Sequence, residues 1–153
     1  MGRITEEPLD PARLLADSPD PSCGAYVLFG GTVRDHHQGE GVAGMRYTAY
    51  GPMAERVLAE LEAETCQRFG VPVCRIVHRV GALELEEASV LVLVRAPHRA
   101  EAFQAGQYAI DTLKERLPVW KEDFYTDGRR RHQDGVSLAT AAETRTDGGE
   151  RRE

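Results

Sequence analysis

Three cysteines among 153 residues, Cys23, Cys66 and Cys74, stand too far apart for any Cys-x-x-Cys site. An odd and scattered set of this kind points to reduced, mostly buried thiols. No apolar run exceeds five residues, Val90–Val94 being one of them, far short of a membrane span. The opening Met-Gly-Arg-Ile-Thr-Glu-Glu lacks the hydrophobic segment of a signal peptide, so the expected location is the cytoplasm. Positive charge is in deficit: 19 basic residues against 25 acidic ones give a net charge of −6. That excludes a general binder of nucleic acid or anionic membrane unless cations are gathered locally. The remainder, 41% hydrophobic and 29% charged, is the composition of one globular domain and not of a disordered chain.

Turn and cap signals divide the chain. Asp10-Pro11 opens a short helix that ends near Asp17, before the turn-rich segment 18–22. Ala25–Phe29 is aromatic and β-branched and predicts a strand, loosened by Gly30-Gly31 ahead of Thr32-Val33-Arg34. Residues 35–44 are polar and glycine-rich and predict a loop; 45–50 alternate well enough for a second strand. Gly51-Pro52 opens a long helix with an apolar stripe at Met53, Val57, Leu58, Leu61 and Phe69, closed by Gly70. Strands are predicted over 73–80, with Cys74, Ile76, His78 and Val80 on one face, and over 89–95. A second long helix covers 97–117, with Phe103, Gly106, Ile110, Leu113 and Leu117 on its buried face and Pro118 as its stop. A last strand occupies 119–125. The order β-β-α-β-β-α-β predicts an α+β fold, two long helices packed on a largely antiparallel sheet in a single compact domain. Residues 1–125 form that domain, and the polar residues 126–153 are expected to be a frayed or partner-ordered tail.

The cations are the candidate chemistry, and each has a plain alternative. Arg34 is followed by His36 and His37, but these neighbours lack a third ligand at a familiar spacing, so no metal is assigned. His98-Arg99 places positive charge at a helix start, against the macrodipole; free backbone N–H groups there can hold an anion, or the pair is simply solvated. Lys114 falls roughly 55° from the centre of the predicted apolar stripe. It either snorkels over apolar surface or points into a pocket. Lys121 shares a strand face with Val119 and Asp123. It is either a routine strand lysine or converges with Lys114 across Pro118.

The ordered set Phe29-Gly30-Gly31-Thr32-Val33-Arg34, Tyr47-Thr48-Ala49-Tyr50, His78-Arg79-Val80-Gly81, Ala96-Pro97-His98-Arg99, Ala102-Phe103-Gln104-Ala105-Gly106, Leu113-Lys114 and Pro118-Val119-Trp120-Lys121 resembles the catalytic (large) subunit of molybdopterin synthase, the MoaE family. The likeness covers about residues 24–122. It implies a sulfurtransferase of molybdenum cofactor biosynthesis. Its partner would be a small ubiquitin-like sulfur carrier (MoaD type) with a C-terminal thiocarboxylate. Its substrate would be cyclic pyranopterin monophosphate (precursor Z), converted to the dithiolene of molybdopterin. By position, the resemblance places substrate binding on Thr32, Val33, Arg34, His98, Arg99, Lys114, Lys121, Glu122 and Asp123. It places catalysis on Lys114 and Lys121, with Lys114 a candidate general acid or base. No metal, cofactor, nucleic acid or membrane is assigned to the chain. A non-catalytic module for a ubiquitin-like protein or a phosphorylated ligand, and a structural dimeric scaffold, are the rival readings.

His98 and Lys114 lie about 24 Å apart along one predicted helix. Both can touch one small pterin only if the pocket is shared by two protomers, which favours a homodimer with composite sites; the resemblance implies the same dimer, flanked by two small subunits. Two departures stand out. Glu122-Asp123 follow Lys121 where the family often has a basic residue, and Arg129-Arg130-Arg131-His132 occupy the region where it often carries a tryptophan.

Overall fold

A computed structural model of the chain describes residues 2–133. Its first half runs β1 (Ile4–Thr5), α1 (Pro11–Ala16), β2 (Ala25–Thr32), β3 (His36–His37), β4 (Glu40–Ala49) and α2 (Gly51–Phe69). The second half runs β5 (Val73–Arg79), β6 (Gly81–Glu84), β7 (Ala88–Ala96), α3 (Arg99–Arg116), β8 (Val119–Tyr125) and β9 (Arg130–Gln133). The major elements keep the predicted β-β-α-β-β-α-β order. No helix among the described residues is long and apolar enough to cross a membrane.

Caps set the helix ends. The Asp10 side chain accepts from the backbone N–H groups of Ala12 and Arg13, at 3.0 and 3.3 Å, and Pro11 follows in the first turn of α1. Gly70 closes α2 in the left-handed region at φ 65° and donates its N–H to the Cys66 carbonyl. Pro118 cannot continue α3, and Leu117 is already extended.

The strands divide into two sheets. The first has the order β1-β5-β7-β2, antiparallel except for the short parallel pair β1–β5. Its central strand β7 is apolar on both faces. Val90, Val92 and Val94 pack under α2 and α3 with Leu58, Leu61 and Ile76, whereas Leu91 and Leu93 meet Leu14 of α1 and Val77 on the other side. Each such leucine or valine contributes about 1.5–3 kcal/mol through burial. Glu62 of α2 is a buried charge with its acceptors satisfied: one oxygen takes the Ile76 N–H at 2.8 Å, the other the Arg3 guanidinium at 2.9 and 3.0 Å.

The second sheet has the order β3-β4-β8-β9, with β6 also paired to β4. Gly44 lies where β4 runs between two neighbours: a Cβ there would sit 2.8 Å from the Leu83 carbonyl oxygen, a backbone atom that cannot swing aside. Gly44→Ala is therefore expected to cost about 1–3 kcal/mol, read as a lower denaturant midpoint at unchanged slope.

Three expectations are corrected. The predicted loop 35–44 contains a hairpin, β3 turning into β4 through Gln38 and Gly39, both at positive φ. The predicted tail begins instead with the β8–β9 hairpin. Gly128 turns at φ 91°, Asp127 accepts the Arg129 N–H, and Arg129 is paired with Glu40. The rest of the predicted tail lies outside the described residues. Phe103 is 64% exposed, because α3 presents Ala102, Ala105, Gly106 and Ala109 to the core. These small residues let the helix lie close on β2, where Gly106 faces Val27, and Phe103 is rotated off that face.

Candidate active site

At the seam of the two sheets, beside the last turns of α3, is a cavity of about 430 Å³. The first sheet supplies Thr32, His78 and Ser89, the second Tyr47 and Lys121, and α3 supplies Lys114. Gly31 and Thr32 mark the slip in register at which β2 leaves β7. Bulges of this kind re-aim side chains, and here Arg34, just beyond, reaches the cavity. Lys114 occupies the last turn of α3, where a cation suits the negative end of the helix. Pro118 then folds the chain back so that Lys121, seven residues later, lines the same cavity. The two predicted amines and Arg34 thus converge.

Other predicted residues are placed differently. Val33 does not line the cavity: its side chain packs with Met45 and Leu83. Its backbone N–H and carbonyl bind Glu87 and Glu86 at 3.0 and 2.7 Å, so it anchors the segment between Thr32 and Arg34. Glu122 points to the opposite face of β8 from Lys121, in register with Arg46 and His132. Asp123 shares the face of Lys121. It is 1% exposed, with Oδ1 3.8 Å from the Lys121 ammonium, an ion-pair distance longer than a hydrogen bond. His98 and Arg99 are at the far end of α3, in a separate depression with Gly24 and Pro97. The helix between them and Lys114 is unbroken over 18 residues, so within one chain they do not reach the cavity.

The floor was not assigned from the sequence. His78 is 4% exposed, and its Nδ1 lies 2.8 Å from the Arg79 carbonyl. The Tyr47 ring meets it edge-on, with centroids 5.0 Å apart. Burial pushes the imidazole down to about 4 and, with the Asp123 charge, pushes the Tyr47 phenol up. Both rings are neutral near pH 7. The one available signal was His78 on the inward face of β5, in line with Cys74 and Ile76: a polar ring on an otherwise apolar face.

That histidine has a consequence for stability. The unfolded chain protonates the ring near pH 6.5, the folded chain only near 4. Between those values the unfolded state holds more protons, so stability falls as pH falls, by about 3 kcal/mol across the window, and is fully present above it. Denaturant midpoints of wild type and His78→Asn from pH 7 to 4 check this: the wild-type loss should exceed the variant's by about that amount, and equal slopes would refute it.

Residues 4–116 match the family described as MoaE protein. The chain belongs to the MoaE family. A molybdopterin synthase catalytic subunit of Thermoplasma volcanium is 40% identical to this MoaE chain over 125 residues, covering 82% of it and 91% of the relative. Among solved structures, the crystal structure of molybdopterin synthase from Staphylococcus aureus superimposes with a TM-score of 0.81 at 35% identity, over 86% of this chain and 96% of the other. The MoaE protein of Burkholderia ambifaria gives 0.75 at 34%, over 97% and 100%.

Proposed function

We propose that the chain is the catalytic subunit of a molybdopterin synthase, a sulfurtransferase that acts on cyclic pyranopterin monophosphate in the cytoplasm. The observation that carries this is the convergence of Arg34, Lys114 and Lys121 on one cavity in a MoaE chain. The donor is the C-terminal thiocarboxylate of a small ubiquitin-like protein. Its sulfur bonds to a side-chain carbon of the pterin and displaces the oxygen held there, which leaves on the phosphate or as water. A water then attacks the acyl carbon, the acyl–sulfur bond breaks, and the donor leaves as a carboxylate, once for each of the two sulfurs. Two anions, phosphate and thiocarboxylate, must meet in this sequence, and negative charge develops on the acyl oxygen. Arg34 suits the phosphate through its planar fork. Lys114 and Lys121 suit the developing charge, which preorganised cations stabilise more in the transition state than in the ground state. The nucleophilic sulfur arrives with the partner, so no cysteine of this chain takes part.

Thr32 lines the cavity beside Arg34, and Asp123 orients Lys121 from beneath. His98 and Arg99 serve the cavity of a second protomer in a homodimer, since their own helix carries them away from it. The test is conversion of the pyranopterin by the purified chain with thiocarboxylated partner, followed by mass spectrometry. Failure to form a dithiolene product with a loaded partner overturns the proposal.

A further inference from the structure

The cavity has two chemical halves. Its rim cations, Arg34, Lys114 and Lys121, are hydrogen-bond donors without acceptor capacity. Its floor is the reverse. A carbonyl only accepts, so the Arg79 oxygen fixes the His78 proton on Nδ1 and leaves a lone pair on Nε2. Ser89 gives its single hydroxyl proton to the Gly31 carbonyl at 3.3 Å and its oxygen in turn accepts from the Tyr47 hydroxyl, so the open acceptor of the floor is the His78 Nε2. His78 and Ser89 both line the cavity and both are buried.

A phosphorylated pterin has a matching division. The phosphate accepts and belongs with the rim. The ring edge carries amino and ring N–H donors that no lysine or arginine can satisfy, and a donor buried without a partner weakens binding. We infer that His78, through Nε2, is a specificity-determining acceptor for a ring N–H of the bound heterocycle. This rests on the pyranopterin reading above and deepens it: the cavity selects a donor-edged heterocycle as well as an anion. Neutrality of the ring is part of the device. A protonated imidazole would donate from both nitrogens, but burial of the ring holds off protonation to about pH 4.

Two substitutions separate the ring's roles. His78→Asn can keep the bond to the Arg79 carbonyl and lacks the outer nitrogen; His78→Gln can place an acceptor where Nε2 was. In the conversion assay with loaded partner, His78→Asn should raise KM for the pyranopterin about tenfold, the worth of one hydrogen bond. Its kcat should change little, as should inhibition by inorganic phosphate. His78→Gln should stay within about threefold of wild type. An unchanged KM in His78→Asn overturns the proposal, and so does equal weakening of pterin and phosphate in both variants, which marks a structural role. A measurement on the unmutated chain stands apart from folding defects: the imidazole ¹⁵N resonances with and without the pyranopterin. Nε2 should shift on accepting a proton donor and Nδ1 should not. A wild type that converts substrate with an unmoved Nε2 overturns this inference alone. One that neither binds nor converts overturns the functional reading and this inference with it.

Discussion

Lys114→Ala should lower conversion of the pyranopterin by about 10²–10³-fold, the usual cost of removing one preorganised electrostatic group from an acyl-transfer site, with the fold intact. Lys114 is exposed on the cavity rim, so truncating it opens no core cavity, and a surface change of this kind costs stability within about 0.5 kcal/mol. The large effect follows from what the proposed reaction must bring together. Two unit negative charges 5 Å apart repel by about 3 kcal/mol at an effective dielectric of 20. Adjacent cations offset that and then stabilise the acyl oxygen as it gains charge. Single-turnover rates with saturating loaded partner isolate the chemical step from binding. Lys114→Arg then divides the roles. Arginine keeps the charge and gives up proton transfer, so full turnover in that variant would show that charge alone suffices and remove Lys114 as a general acid or base. A binding module predicts a different pattern for Lys114→Ala, with weaker ligand binding and no turnover to lose; a scaffold predicts no change in either.

The parts of the fold legible in the sequence were those set by local chemistry. Asp10-Pro11, Gly70 and Pro118 mark ends that require a capping carboxylate, a left-handed residue and a missing N–H, and the helices end there. The two hairpins were hidden by composition. Residues 35–44 and 126–133 are polar enough to look like loop and tail, yet Gln38-Gly39 and Asp127-Gly128 carry turn chemistry at the points where the chain reverses. Phe103 was misplaced because hydrophobicity was weighed above size. Around Phe103 the buried face of α3 is built from alanine and glycine, whose value lies in close approach and not in apolar area; large apolar residues enter it only later, at Ile110 and Leu113. At the site, Lys114 and Lys121 were readable because both flank a proline that reverses the chain. His78 and Ser89 were not, since their significance depends on which carbonyl takes the proton of each, and that is a property of strand pairing.

Mixing two inactive variants should restore activity. His98→Ala and Lys114→Ala homodimers should each be impaired at both sites. α3 separates these residues by its unbroken length, so a site that uses both must take them from different protomers. In a mixed dimer one site then carries both substitutions and the other carries neither. Random reassortment makes half of the dimers mixed, each with one working site of two, so recovered activity should reach about a quarter of wild type. The figure distinguishes mechanisms. A site complete within one chain would place His98 outside it: His98→Ala would be active before mixing, and its activity would only be diluted. A dimer needed for stability alone would give two inactive parents and no recovery. Recovery near a quarter, rising as protomers exchange and absent when the parents are cross-linked before mixing, has no source other than a cavity whose own cations are completed by His98 of the second chain.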